Sequence, residues 1–249
     1  MRVIAAVLAV AAGLTVGAAP VRPVAAQTPG AEAARRAMVK VVAAKAERTA
    51  RVTEVDAIDD AVLTALRAVP RHRFVPEDVR PYAYAPTPLP ISEEHRIASP
   101  FLVALMTQLA AVEAGDRVFE TGTGAGYHAA VLDRMGAQVV SVEVVASAAE
   151  RAREILAAVG ADGVGVHIAD GYFGWPQGAP YDAMLVKEAV GTVPPALLDQ
   201  LKPGGRLVAP IGPPGGEQHL TVLTRQQTGV TRRRVMPVRF APLQGGERI

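Results

Sequence analysis

The stretch FETGTGAGYHAAVL, residues 119–132, decides the fold. It places Gly122, Gly124 and Gly126 between an apolar strand that ends at Glu120 and the start of a helix. Glycine lets a backbone turn sharply and approach a ligand closely. A glycine-rich strand–loop–helix unit is typical of α/β proteins that bind a cofactor, although many different cofactors use one.

Two features of this loop narrow the choice of cofactor. No Lys-Ser or Lys-Thr pair follows the glycines, so the loop does not match a P-loop for nucleotide phosphates. Glu120 precedes the glycines, where its charge would repel a pyrophosphate but could hold an amine. The pattern therefore favours S-adenosylmethionine, which has an amino acid end and no phosphate, over a dinucleotide.

Strands and helices alternate around the loop. We predict strands at 117–120, 138–143, 164–168, 181–186 and 206–210, and helices at 124–135, 146–159 and 194–201. This alternation predicts an α/β fold whose mainly parallel sheet carries helices on both faces. The tail breaks the alternation, because residues 219–238 form two strand patterns around Thr228-Gly229. They predict a C-terminal antiparallel hairpin.

Acidic residues stand at the ends of three successive predicted strands. Glu120 ends the first strand, Glu143 ends the second, and Asp170 follows the third. Open α/β sheets bind ligands at the carboxyl edge of their strands. Glu143 is placed to accept both ribose hydroxyls of a nucleoside, and Asp170 to accept the adenine amino group. The alternative is that these acids cap helices.

The first residues are predicted to be a separate segment. Arg2 is followed by a continuous apolar run, and Val24-Ala25-Ala26 supplies the small residues of a cleavage site. This pattern predicts a signal peptide over residues 1–26, cleaved before Gln27, and an exported protein that is periplasmic or secreted. The alternative is an uncleaved anchor, but the run is short for a hydrocarbon core of about 30 Å.

Composition disfavours several classes of partner. Without Arg2 and Arg22, the chain carries 24 basic and 24 acidic side chains. This neutral balance gives no electrostatic case for nucleic acid or an anionic membrane. The chain has no cysteine, which excludes disulfides, thiolate metal sites and a cysteine nucleophile. No metal site is predicted, and no stable membrane anchor is expected after cleavage.

Further stretches resemble the protein-L-isoaspartate O-methyltransferases, a branch of the class I S-adenosylmethionine-dependent methyltransferases. Besides the glycine loop, they are VPRHRFVPEDVRPYAY (69–84), PLPI (88–91), GDRV (115–118), ADGYFGWPQGAPYDAMLV (169–186), LKPGGRLVAPIGPPGG (201–216) and PVRFAPL (237–243). The succession of DGYxGW and LKPGGRLVxPxG is specific to that family. The resemblance implies a Rossmann-like class I methyltransferase fold, carboxyl methylation and S-adenosyl-L-methionine as cofactor.

The resemblance also implies the cofactor residues. The positions that match the family pattern are Glu120, Thr121, Gly122, Thr123, Gly124, Gly126, Tyr127, Glu143, Asp170 and Gly171. Ala125 and His128 differ from the residues most frequent there, and neither change should prevent cofactor binding. Residues 27–58 are predicted to be an N-terminal helical extension with a flexible start over 27–36, and residues 59–249 the methyltransferase domain.

The acceptor half departs from the family pattern. After PLPI the family usually has a glycine-rich segment ending in Thr-Ile-Ser-x-Pro, whose hydroxyls lie beside the methyl acceptor. Here the segment is SEEHRIASP, so Arg96 and Ala98 take the hydroxyl positions and Ser99 lies one place later. At the end of the fourth strand, Lys187 and Glu188 replace small residues. An altered acceptor site is therefore predicted, with ordinary isoaspartyl peptides as poor substrates.

The replaced residues allow two kinds of chemistry. Arg96 and Lys187 are suited to pair with an acceptor carboxylate, which is already ionised near neutral pH. Glu94, His95 or Glu188 is suited to deprotonate a hydroxyl or amine acceptor. In a third alternative, Arg96 pairs with a nearby glutamate and closes the pocket. The candidate catalytic residues are Arg96, Ser99, Lys187 and Glu188.

Three functions remain open on the sequence alone. The leading hypothesis is an exported methyltransferase that acts on a protein, peptide or small-molecule carboxylate through an altered acceptor site. The second is an exported, non-catalytic binding protein that keeps the fold. The third is a genuine isoaspartyl repair enzyme that uses Arg96 and Ser99 in a new way. S-adenosylmethionine is made in the cytoplasm, so export would require another source of cofactor.

Overall fold

A computed structural model describes residues 29–92, 95–213 and 215–245. The predicted signal peptide, residues 1–26, lies outside the described part of the chain, as do Glu93 and Glu94 of the acceptor segment. Among the described residues, no helix is long and apolar enough to cross a membrane.

The described part of the chain contains a two-stranded and a seven-stranded sheet. The small sheet pairs β1 (Leu89–Pro90) with β2 (Arg96–Ile97). The large sheet contains β3 (Arg117–Thr121), β4 (Gln138–Glu143), β5 (Val164–Ile168), β6 (Tyr181–Leu185), β7 (Leu201–Ile211), β8 (Gln218–Arg225) and β9 (Val230–Val238). Its order is β5-β4-β3-β6-β7-β8-β9, parallel through β7 and antiparallel beyond. The predicted parallel sheet and terminal hairpin are confirmed.

Helices pack against the large sheet and against one another in the described part of the chain. They are α1 (Pro29–Thr53), α2 (Asp60–Ala68), α3 (Pro100–Ala110), α4 (Tyr127–Arg134), α5 (Ala146–Val159) and α6 (Pro195–Asp199). The start of α3 follows from its sequence, because Pro100 fits the first turn and the Ser99 hydroxyl accepts a hydrogen bond from the Leu102 amide. The Pro-rich connection before β1 forms two short 3₁₀ helices, Arg71–Phe74 and Glu77–Tyr82.

Two local expectations are corrected. The flexible start predicted for residues 27–36 is wrong from Pro29 onward, because α1 already begins there and Arg35 is buried. The strand predicted at 206–210 is longer, since β7 begins at Leu201 and pairs it with Tyr181. A register shift beside Tyr181 accommodates the extra residues of β7, which a pattern of apolar positions does not reveal.

The order of the strands sets the position of the site. The chain enters the large sheet at β3, builds outward through β4 and β5, and then crosses to β6 and β7 on the other side of β3. Successive side chains of β3 alternate between two core clusters, with Val118 in one and Phe119 in the other. The order reverses between β3 and β6, and open parallel sheets form their binding crevice at such a point.

Candidate active site

A cavity of about 360 Å³ opens at the crevice between β3 and β6. Its walls come from the β1–β2 hairpin, the glycine loop after β3, the ends of β4, β5 and β6, and the segment that follows β9. The predicted site residues that line it are Arg96, Thr121, Gly122, Thr123, Gly124, Tyr127, Glu143, Gly171, Lys187 and Glu188. The structure thus brings residues from across the chain to one cavity.

Glu120 lies beneath the glycine loop rather than in the cavity wall. Its side chain is fully buried, and its Oε2 lies 2.9 Å from Lys187 Nζ. Its Oε1 accepts a hydrogen bond from Ser141 Oγ at 2.7 Å, and Ser141 in turn lies 2.6 Å from the Thr123 hydroxyl. Glu120 therefore neutralises Lys187 and supports the loop, which differs from the predicted contact with a cofactor amine.

Glu143 is held at the end of β4 by the loop itself. Its Oε2 accepts a hydrogen bond from the Gly124 amide at 2.9 Å, and its Oε1 accepts one from the Val145 amide at 3.1 Å. The side chain is only 4% exposed, yet it lines the cavity. Each carboxylate oxygen can accept further hydrogen bonds. Glu143 is thus a fixed carboxylate in the cavity wall, and its contact with ribose stays a prediction.

Asp170 caps a helix, which was the alternative considered for it, and it is not among the residues that line the cavity in the described part of the chain. Its Oδ1 accepts a hydrogen bond from the Tyr172 amide at 2.9 Å and so caps a short 3₁₀ helix. Its neighbour Gly171 reaches the cavity, where a Cβ would lie 2.6 Å from Thr121 Cγ2. Only glycine lets this loop approach the end of β3 so closely. A Cβ on Gly245 would overlap the Asp170 carboxylate, so the C-terminal segment packs against this corner.

Glu188 projects from the end of β6 onto the glycine loop. Its Oε2 accepts a hydrogen bond from Thr121 Oγ1, and the Thr121 hydroxyl oxygen accepts one from the Lys187 amide at 3.0 Å. Burial raises the pKa of Glu188, while the Thr121 hydroxyl and the charge of Lys187 oppose that rise. The carboxylates of Glu143 and Glu120 add to it. The end of β6 thus supplies a carboxylate whose pKa is raised even with Lys187 beside it.

Ser99 is placed differently from the other predicted catalytic residues. Its hydroxyl oxygen accepts the 3.3 Å hydrogen bond that caps α3, and it is not among the residues that line the cavity in the described part of the chain. A serine directly before Pro100 is typical of a helix N-cap, so the capping role of Ser99 could have been predicted from the sequence. The structure favours a capping role for Ser99 over a role at the acceptor.

His128 also lines the cavity, although no role was predicted for it from the sequence. Its Nε2 lies 2.8 Å from Thr107 Oγ1, and that hydroxyl also lies 2.9 Å from the Val103 carbonyl oxygen. The Thr107 hydroxyl therefore links the His128 ring to the backbone of α3. Burial, and secondly the charge of Lys187, hold the pKa of His128 well below its usual value. His128 therefore contributes a neutral ring to the cavity.

The segment after β9 closes one side of the cavity. The Ala189 amide donates to the Ala241 carbonyl at 2.7 Å, and the Leu243 amide donates to the Ala189 carbonyl at 3.0 Å. These bonds tie the segment beside Lys187 and Glu188, and residues 239–244 line the cavity. The stretch PVRFAPL showed a family resemblance in the sequence, but its position over the site requires the fold.

A match to a protein-family model identifies the family of this chain. The model for protein-L-isoaspartate(D-aspartate) O-methyltransferase matches residues 45–248. The chain belongs to this family. It is therefore an S-adenosylmethionine-dependent methyltransferase, as the resemblance implied. The same match favours an enzyme over the non-catalytic alternative.

Curated relatives agree with the family assignment. A protein-L-isoaspartate O-methyltransferase of Methylorubrum extorquens is 50% identical over 188 residues, which cover 76% of this chain and 82% of the relative. One of Opitutus terrae is 48% identical over 187 residues, covering 75% of this chain and 80% of the relative. Family membership thus rests on similarity across most of the described domain.

Solved structures confirm the predicted class I methyltransferase fold. One protein-L-isoaspartate O-methyltransferase structure superposes with a TM-score of 0.74 at 27% identity, covering 85% of this chain and 66% of the other. A Plasmodium falciparum homologue in complex with S-adenosyl-L-homocysteine has a TM-score of 0.69 at 21% identity, covering 84% of this chain and 98% of the other. At that identity, the second similarity shows the fold alone.

The residues of this methyltransferase fit its cofactor. Glu143 presents a buried carboxylate at the position suited to ribose, and Gly171 lines the cavity beside Asp170, where adenine is predicted. Gly122 leaves the loop backbone uncovered by a side chain of its own. A bound S-adenosylmethionine supplies an electrophilic methyl group on a sulfonium. The chain supplies the polar contacts and an enclosure that excludes part of the water.

Proposed function

We propose that this methyltransferase transfers a methyl group to the carboxylate of an isoaspartyl residue in a polypeptide, and that Arg96 binds that carboxylate. One observation carries the proposal: Arg96, on β2, lines the cavity at a position where the family usually has a hydroxyl. A guanidinium binds a carboxylate through two parallel hydrogen bonds. The acceptor site then binds the same substrate, an isoaspartyl carboxylate, but it does so through a guanidinium instead of hydroxyl groups.

The chemistry places modest demands on the chain. A carboxylate is ionised near neutral pH, so its methylation needs alignment and desolvation rather than a strong base. Lys187 is only 14% exposed and is already paired with Glu120 at 2.9 Å. Arg96 is exposed at the cavity mouth, where an incoming polypeptide can reach it. Arg96 is therefore the better acceptor ligand of these two cations.

The turn that carries Arg96 is held by its own hydrogen bonds. The Ile91 amide donates to the His95 carbonyl at 2.9 Å, and the His95 amide donates to Ser92 Oγ at 3.1 Å. The ring of His95 also contacts Ser92, with Nδ1 at 3.1 Å from the hydroxyl. These bonds favour a positioning role for His95 over a role as general base, which supports an acceptor that is already ionised.

Replacing Arg96 tests the proposed acceptor contact. Arg96→Gln should lower kcat/KM for an isoaspartyl peptide at least tenfold, because a hydrogen bond to a charged group contributes about 1.5–3 kcal/mol. Arg96→Lys should retain part of the activity, since it keeps the charge but loses the two-pronged geometry. Affinity for S-adenosylhomocysteine should stay within twofold of wild type. Transfer of labelled methyl groups and titration calorimetry measure these two quantities.

Arg67→Gln, an exposed change on α2, is the matched control and should leave both quantities unchanged. The double variant Arg96→Thr with Ala98→Ser can contradict the proposed contact. If this pair raised isoaspartyl methylation, Arg96 would be an obstruction in the pocket and the proposed contact would be wrong.

We also propose that the protein is exported and begins at Gln27 after cleavage. The support is the order of Arg2, the apolar run and the small residues at 24–26. Mass spectrometry of the native protein should find Gln27 as its first residue in the periplasmic or secreted fraction. A native protein that retains residues 1–26 in the cytoplasm would contradict both cleavage and export.

A further inference from the structure

A carboxylate occupies the space above the first glycine of the cofactor loop. Gly122 has a φ of +58°, and a Cβ placed on it would overlap Oε1 of Glu188. The other oxygen of Glu188 accepts the hydrogen bond from Thr121. Both oxygens thus lie against the loop after β3, rather than against the β1–β2 hairpin that carries Arg96. Glu188 belongs by position to the cofactor half of the cavity.

The surrounding charges leave Glu188 in need of a cation. Lys187 lies 2.9 Å from Glu120, so its charge is shared with that acid and only partly compensates Glu188. Glu143 lies at the same edge of the sheet and accepts hydrogen bonds from two backbone amides, so it adds a second negative group. Within the described residues, the hydrogen-bond donor to Glu188 is the neutral Thr121 hydroxyl. Glu188 is half-buried in the cavity wall, and a carboxylate that a ligand shields from water there is costly unless an opposite charge joins it.

The cofactor contains such a charge. The amino acid end of S-adenosylmethionine ends in an ammonium group, and the loop that Glu188 covers is where the cofactor backbone contacts are predicted. We propose that Glu188 binds this α-ammonium group, which is the role first expected for Glu120. The family usually has a small residue at this position, so the contact would be particular to chains with a glutamate here.

The acceptor proposed above favours the same conclusion. An ionised Glu188 would repel an acceptor carboxylate, because like charges at close range are unfavourable in a partly desolvated site. An ammonium between Glu188 and the acceptor removes that conflict. This last step rests on the proposed function, whereas the contact with the loop does not.

Comparing two ligands distinguishes the Glu188 contact from the other contacts that bind the cofactor. S-adenosylhomocysteine has the amino acid end, and 5′-methylthioadenosine has the same thioether and nucleoside without it. Glu188→Gln should weaken S-adenosylhomocysteine about tenfold, while 5′-methylthioadenosine stays within twofold of wild type. Glutamine keeps the size of the side chain and can still accept from Thr121. Titration calorimetry with both ligands measures the difference, and needs no methyl transfer.

Glu143→Ala is the matched comparison, because it should weaken both ligands through the ribose that they share. The inference is overturned if Glu188→Gln leaves S-adenosylhomocysteine unchanged, or if it weakens the two ligands equally. Failure of the proposed function has another outcome: selective weakening of S-adenosylhomocysteine by Glu188→Gln, with no methylation of isoaspartyl peptides by wild type.

Discussion

Lys187→Met should lower the free energy of unfolding by about 3–5 kcal/mol, the usual cost of leaving one partner of a buried ion pair alone. Glu120 is fully buried, and its Oε2 has no hydrogen-bond partner elsewhere in the described part of the chain. Ser141 serves only the other oxygen. Methionine fills the volume of the lysine stem without supplying a charge. Urea denaturation of the two proteins measures the difference.

Two further variants show whether the effect comes from the uncompensated charge. Glu120→Gln combined with Lys187→Met should recover most of the lost stability, since neither charge then remains. Lys202→Met removes a more exposed pair, in which Lys202 Nζ lies 2.6 Å from Asp182, and should cost less than about 1 kcal/mol. If Lys187→Met costs no more than Lys202→Met, the ion pair under the loop is not structural.

Glu143→Ala should weaken binding of S-adenosylhomocysteine by at least tenfold. The carboxylate accepts from the Gly124 and Val145 amides, so its loss removes the predicted ribose contact and also loosens the loop. Hydrogen bonds to a charged group contribute about 1.5–3 kcal/mol, which corresponds to roughly 10- to 150-fold in affinity. Calorimetric titration of the purified variants measures the change.

The control for this variant is Glu150→Ala, which removes an exposed acid on α5 in the same part of the chain. Its affinity should equal that of wild type. Equal binding by Glu143→Ala and wild type would show that the acid at the end of β4 does not hold the ribose.

The local parts of the fold could be predicted closely from the sequence. The limits of β4, α5 and β5 agree with the predicted ranges, because each element has a strong apolar period and a turn at its end. The start of α1 was missed, since an alanine-rich stretch with mixed charges gives no sign of what it packs against. The true length of β7 depends on a register shift against β6, which is a property of two strands together.

The same distinction applies to the site. Glu143 and Gly171 could be placed because each lies at the end of a strand that the sequence marks. The pairing of Glu120 with Lys187 could not, because it joins residues 67 positions apart and depends on β6 lying next to β3. The contact of Glu188 with the glycine loop depends on the same neighbouring strands. Sequence patterns identified the strand ends, while strand order decided which of them meet.

The most direct test is transfer of labelled methyl groups from S-adenosylmethionine to an isoaspartyl peptide and to its normal aspartyl twin. The protein should label the isoaspartyl peptide and leave the twin unlabelled, and Arg96→Gln should label the isoaspartyl peptide at least tenfold more slowly. An unchanged rate for Arg96→Gln would contradict the proposed acceptor contact. Labelling of both peptides alike, or of neither by a protein that binds S-adenosylhomocysteine, would contradict isoaspartyl methylation itself.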